Sequence, residues 1–216
     1  MLKTATFGLL CLFLGAMTGT VSATAEIEPQ TPEARVAIAT ELLAQTSQWS
    51  DVTIQLSDLP EGFTAMPASE LAELKEELAR DDIDVENVFA FVAQQRFQLI
   101  MGITTLLQTQ QQQEKFDEIL RDPQVLRTLI AEEMDTPEDP AEPLDVKRIG
   151  DAAGGVRLPV NLEGLMAQLE ILAFRQDEMG AFIFVLYREG ERPLVEIAEI
   201  ARQLESRAQA VVSRPN

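Results

Sequence analysis

Apolar residues recur along this chain in two rhythms, one helical and one extended, and the changes of rhythm mark the elements. Ile38, Leu42 and Leu43 form a stripe at helical spacing. Ahead of them Thr31-Pro32-Glu33 supplies an N-cap, a proline at the first helical position and an acid beside the positive helix end. Val52-Thr53-Ile54-Gln55-Leu56 alternates as a strand does and runs into Asp58-Leu59-Pro60-Glu61-Gly62-Phe63, a turn built on Pro and Gly. Ser69 is placed to cap a helix whose Leu71, Leu74 and Leu78 share one face. Residues 88–93 and 97–107 are two apolar runs around Gln94-Gln95-Arg96, which predicts a hairpin. A helix carrying Phe116, Ile119 and Leu120 follows, and Asp122-Pro123 restarts a helical turn with Val125, Leu126, Leu129 and Ile130.

The most apolar stretch beyond the N-terminus is 169–190. Glu170, Arg175, Asp177, Glu178, Arg188 and Glu189 interrupt it, so it cannot be a membrane-spanning helix, which needs about 20 largely uncharged apolar residues. Its uncharged part, Phe182-Ile183-Phe184-Val185-Leu186-Tyr187 with Ala181 before it, has strand composition. Gln176-Asp177-Glu178-Met179-Gly180 can reverse the chain. Because apolar residues occupy both odd and even positions, both faces of this hairpin need cover, which puts it near the middle of a sheet with helices above and below. Pro193 is positioned to open a last helix with Val195, Ile197, Ala198, Ile200, Ala201 and Leu204 on its apolar side.

Between the hairpins, 132–145 is dense in acids and carries Pro137, Pro140 and Pro143. Such a segment predicts an extended, solvated linker outside the core. The elements therefore sum to an α+β fold: a mainly antiparallel sheet flanked by helices, in two hairpin-helix halves joined by an acidic, Pro-rich linker. The halves share a plan at about 88–121 and 169–210, without residue identity that would show duplication.

The first 25 residues change the picture of where the fold works. Lys3, the apolar run 7–17 and the small residues Val21-Ser22-Ala23 and Ala23-Thr24-Ala25 form a secretory signal peptide with cleavage after Ala23 or Ala25. Cys11 follows Leu10 inside the apolar run, which does not suit a lipoprotein. The expected organisation is a cleaved signal at 1–25, an N-terminal helix within 26–48, and one α+β domain over 49–216 that includes the linker. Expected localisation is periplasm, lumen or outside the cell, with no integral span after cleavage. Cleavage removes the only cysteine, so an apolar core and not a disulfide must hold the domain.

Charge and chemistry narrow the function. The chain carries 36 acidic and 17 basic residues, a net charge of −19, and the leader takes Lys3 with it. That balance argues against nucleic acid and anionic lipid headgroups. No histidine is present, which excludes imidazole bases, Ser-His-Asp and Cys-His catalysis and His or Cys metal sites. Gly150-Asp151-Ala152-Ala153-Gly154-Gly155 lacks the Gly-Lys-Ser/Thr ending of a phosphate loop and reads as a turn between strands. Asp82, Asp84 and Glu86 alternate as calcium ligands do, but Asn87 and Ala93 stand where the loop needs Gly and Glu. No catalytic, metal or cofactor residue is assigned.

Three residues stand as candidate ligand or partner contacts: Arg175, a guanidinium in an apolar strand whose structural alternative is a pair with a nearby Asp or Glu, and Phe182 and Phe184, whose alternative is dense core packing. The reading is a non-catalytic exported module that binds a protein partner. The alternative is a small-molecule or lipid carrier with an apolar cleft near Phe89, Phe91, Phe182 and Phe184. A carboxylate-dependent hydrolase ranks below both.

Ile149-Gly150-Asp151, the apolar strand ending Phe174-Arg175, the strand through Tyr187, the closing amphipathic helix and the Asp58-Leu59-Pro60-Glu61-Gly62-Phe63 opening together resemble exported bacterial domains of the PsbP-like type, across about 52–210 in outline. The resemblance implies a compact α/β/α sandwich around an antiparallel sheet, and extrinsic association with a membrane protein complex, photosynthetic ones included. The histidine-and-carboxylate metal sites of some members do not carry over to a chain without histidine.

Overall fold

A computed structural model describes residues 49–80, 85–131, 141–146, 148–162 and 164–213. The expected signal peptide, the helix expected within 26–48 and the acids Asp82 and Asp84 lie outside the described residues. In chain order the elements are β1 (Phe63–Ala65), α1 (Ala68–Arg80), β2 (Val85–Ala93), β3 (Gln98–Leu106), α2 (Gln110–Arg121), α3 (Pro123–Ala131), β4 (Glu142–Pro143), β5 (Ala152–Leu162), β6 (Leu165–Gln176), β7 (Met179–Arg188) and α4 (Ile197–Val212). The strands form one seven-stranded sheet in the order β1-β2-β3-β7-β6-β5-β4, with every neighbouring pair antiparallel. The protein has an α+β fold, with four helices packed against this sheet.

The two-sided apolar pattern of 181–187 explains the position of β7 at the centre. Phe182, Phe184 and Leu186 face a core completed by Leu74 and Leu78 of α1, Phe116 and Leu120 of α2, and Leu126 of α3. Ala181, Ile183, Val185 and Tyr187 face the opposite core, closed by Ile200, Ala201 and Leu204 of α4 together with Trp49, Val52 and Ile54. Side chains alternate across a strand, so an uninterrupted apolar run is stable only where both faces are covered. The expected hairpins occur as β2–β3 and β6–β7, and they meet along the β3–β7 ladder.

Several local expectations are corrected. The alternating segment at 52–56 is not a strand: Val52 and Ile54 point into the core, but the backbone has no ladder there and turns into a 3₁₀ segment at Leu56–Asp58. Side chains take the place of a neighbouring strand. The Asn87 amide donates to the carbonyls of Trp49 and Val52, and Arg207 donates to the Thr53 carbonyl and to both oxygens of Asp58 at 2.8 and 2.7 Å. The last helix begins at Ile197, not at Pro193. The buried Gln98 side chain accepts from the Leu194 N–H at 2.6 Å and donates to the Val195 carbonyl at 3.0 Å, which holds that stretch off the helical path.

The glycine run is a turn only at Gly150 (φ +57), whereas Gly154 and Gly155 lie inside β5. A Cβ at Gly154 would sit 2.1 Å from the Leu120 carbonyl oxygen, so the absence of a side chain lets the end of α2 approach the strand. The linker expected at 132–145 also ends differently. Glu142–Pro143 pairs with Val156 and Arg157 as β4, Ala141 is buried, and the Leu144 N–H donates to the Gly155 carbonyl. A short strand bearing an acid and a proline is a typical sheet edge. Residues 132–140 lie outside the described residues.

Two measurements check this packing. Gly154→Ala is expected to lower stability by about 2 kcal/mol through the clash with backbone, and Gly164→Ala, which meets nothing but has φ +92, by about 1 kcal/mol through strain alone. The denaturant midpoints of the two variants give the comparison. Trp49 is the only tryptophan and is buried, so Arg207→Ala, which frees the 53–58 segment, is expected to shift Trp49 fluorescence to the red before global unfolding.

Candidate functional site

Apart from the buried Gln98 and Thr104 of β3, the face of the sheet that carries α4 is apolar across β3, β7 and most of β6, but it changes character toward β5. On β6, Leu172 and Phe174 belong to the α4-side core, and alternation puts Glu170 and Gln168 on that same face. On β5, Val156, Leu158 and Val160 face the other core, so Arg157 and Pro159 turn to the α4 side. Register then brings the polar residues together: Arg157 lies opposite Glu170, and Gln168 opposite Tyr187. Polar side chains thus occupy neighbouring strand positions of a face that is elsewhere core.

Glu170 is 0 % exposed. Its Oε1 accepts hydrogen bonds from Arg157 Nε at 2.8 Å, Arg157 Nη2 at 2.6 Å and the Tyr187 hydroxyl at 2.9 Å. All three go to one oxygen, and the buried Oε2 has no hydrogen-bond partner within the protein. A buried carboxylate is costly unless it is paired and hydrogen-bonded, and here half of the carboxylate lacks that compensation. Burial alone pulls the Arg157 pKa down, but the hydrogen bond and charge of Glu170, with the nearby Tyr187 and Glu142, outweigh it and hold the guanidinium above its ordinary value. Burial pushes the Tyr187 phenol up, and its hydrogen bond to Glu170 and the negative charge there push it further, to about 12.

Above this triad an open groove of about 520 Å³ is lined by Glu142, Arg157, Pro159, Gln168, Tyr187 and the Glu189-Gly190-Glu191 turn. Glu142 comes from the edge strand β4. The 189–191 turn is fixed by the Glu189 N–H donating to the Met166 carbonyl and the Glu191 N–H to that of Arg188. Glu191 also lies 3.6 Å from the Arg188 guanidinium.

The contacts expected from sequence fall elsewhere. Arg175, at the end of β6, binds Asp117 of α2 through Nε and Nη2 at 2.8 and 3.0 Å, and reaches Asp151 Oδ2 and the Asp177 carbonyl, both at 3.2 Å. The Asp117 hydrogen bonds and the surrounding carboxylates outweigh burial and raise its pKa above the ordinary value. In this position Arg175 ties α2, the 148–151 turn and the β6–β7 turn together. Phe182 and Phe184 are buried beneath the α1–α3 layer, with Phe182 edge-on to Phe116 at 5.2 Å between ring centres. Phe89 and Phe91 belong to the core on the opposite face. The sheet divides these four phenylalanines between two cores, so they do not line one cleft.

Among the described residues no group of three or more Asp, Glu, His or Cys is arranged to hold a metal ion, and no helix is long and apolar enough to cross a membrane. No protein-family model, curated protein or solved structure matches the chain.

Sequence reasoning did not single out Arg157, Gln168 or Tyr187, and Glu170 entered it only as an interruption of an apolar run. The available signal was that interruption: an acid amid Leu169, Ile171 and Leu172 must find a cation or a hydrogen-bond donor. Which cation it finds depends on register.

Tyr187 is the only tyrosine in the chain, so tyrosinate absorbance reads this one hydroxyl. The expected midpoint is about 12, against an ordinary value near 10. The folded state keeps a proton that the unfolded chain has already released. Stability is therefore level in this term below about pH 10 and declines from there toward about 12. Glu170→Gln removes the neighbouring charge and is expected to lower the midpoint, leaving it still above the ordinary value because the burial persists.

Proposed function

We propose that the protein is a non-catalytic exported binding module that docks a protein partner, with the groove over Arg157, Gln168 and Tyr187 as its recognition site. The observation that carries this reading is the placement of polar side chains, one of them a fully buried carboxylate, on a sheet face that packing alone would fill with apolar residues. Buried polar groups of this kind cost stability relative to a well-packed apolar alternative, and recognition is a use that repays them. The groove opens to solvent beside a turn and an edge strand, which gives a partner segment access.

The absence of histidine from the whole chain supports a binding role over acid–base catalysis. The apolar N-terminal leader supports export to the periplasm, a lumen or the exterior, and the acidic balance supports a protein partner over nucleic acid or anionic lipid. An accessory role beside a membrane complex, as the PsbP-like resemblance implies, and the arrangement of the chain as two hairpin-helix halves about an acidic linker belong to the same proposal.

The test is affinity capture from the envelope or lumen fraction with the mature protein and with Gln168→Trp, which fills the groove without changing charge. The wild type is expected to retain a partner, and the variant, with an unchanged melting temperature, to retain about tenfold less, as for a central interface position. Equal retention by both proteins, or turnover of a substrate that depends on the groove, would overturn the reading.

A further inference from the structure

The donors and acceptors in the groove define the chemistry of what fits it. Arg157 commits Nε and Nη2 to Glu170, and Tyr187 commits its only proton to the same oxygen. Two of the five Arg157 N–H groups and the Tyr187 hydroxyl proton are therefore spent within the protein, while the Nη1 side of Arg157 and the Gln168 amide keep donors. Acceptors remain: the lone pairs of the Tyr187 oxygen, the Gln168 carbonyl, and the carboxylates of Glu142, Glu189 and Glu191. Charge points the same way. Arg157 is balanced by Glu170, Arg188 stands beside Glu191 at 3.6 Å, and Glu142 and Glu189 add negative charge at the rim. Glu170 itself is buried behind the groove floor with its charge offset by Arg157, so the net negative charge comes from the rim.

We infer that the groove receives a basic side chain, lysine or arginine, presented by the partner protein. This rests on the binding-module reading and names the group recognised. The cation enters beside Gln168 and the edge of the buried Tyr187, with Glu142 on one rim and the 189–191 turn on the other. The rim carboxylates attract it. An anionic group in the same place would meet one partly committed guanidinium and the acidic rim. A volume of about 520 Å³ suits one or two side chains of a segment laid across the opening, and the acidic surface of the whole chain steers such a segment toward it.

The probe is a capped Gly-Gly-Arg-Gly-Gly peptide, compared with the same peptide carrying neutral citrulline, and followed by NMR at the Tyr187 ring and the Gln168 side-chain amide. The arginine peptide is expected to shift both signals, to bind at least tenfold more tightly than the citrulline peptide, and to weaken as salt is raised. Glu142→Gln with Glu189→Gln is expected to reduce its affinity on the order of tenfold. Glu118→Gln, an exposed acid on α2 under the opposite face of the sheet, is expected to leave affinity unchanged. Equal binding of the two peptides, no binding of either, or insensitivity to the double variant would overturn the inference. Capture separates the two levels. A partner lost with Gln168→Trp but retained by the Glu142→Gln, Glu189→Gln double variant leaves the binding module standing and removes the basic side chain. A partner retained by both variants removes the groove altogether.

Discussion

The burial of β7 on both faces is the constraint on which the rest of this structure depends. A strand covered above and below has no solvent-facing positions, so each side chain from Ala181 to Tyr187 must be accommodated by one core or the other. That requirement places β3 and β6 on its two edges, puts α1, α2 and α3 over Phe182 and Phe184, and puts α4 over Ile183 and Val185. The two hairpins do resemble each other, but the helix after β3 lies on one face and the helix after β7 on the other. A two-fold relation between antiparallel β3 and β7 would keep both helices on one face, so the likeness of the halves is not an internal symmetry.

Where the sheet ends, polar side chains take over from packing. Asn87, Gln98 and Arg175 each fasten a loop or helix to the sheet, and Arg207 fastens the 53–58 segment to α4, through hydrogen bonds to backbone or carboxylate. They allow a segment without regular structure, such as 52–54, to bury Val52 and Ile54 while the Val52 and Thr53 carbonyls accept hydrogen bonds. The Arg157–Glu170–Tyr187 group differs from these ties. It joins strands already held by continuous ladders, and it leaves a buried oxygen without a partner. Structural need does not account for it as it does for the others, and this contrast directs functional attention to the groove and away from Arg175.

Arg175 illustrates how a residue that suggests a contact can find its partner inside the chain. A guanidinium following Phe174 at the end of an apolar run invites a ligand, yet Asp117, distant in sequence, satisfies it from α2. Phe182 and Phe184 were conspicuous for the opposite reason, as aromatic residues in a strand, and their place is the core. Glu170 was just as visible, but its significance depended on Arg157 across the ladder and Tyr187 beside it.

The sequence by itself determined the fold class, both hairpins, the central position of 181–187 and the helices at 68–80, 110–121 and 197–212, because hydrophobic period and turn chemistry are local and these segments express them strongly. It misread 52–56 as a strand and Pro193 as a helix start, since Asn87, Arg207 and Gln98 supply hydrogen bonds that no local pattern announces. Only the tertiary structure decided which polar residues meet. A shift of one residue in register would turn Arg157 or Glu170 to the other face, and register is set by the packing of the whole sheet between its two helical layers.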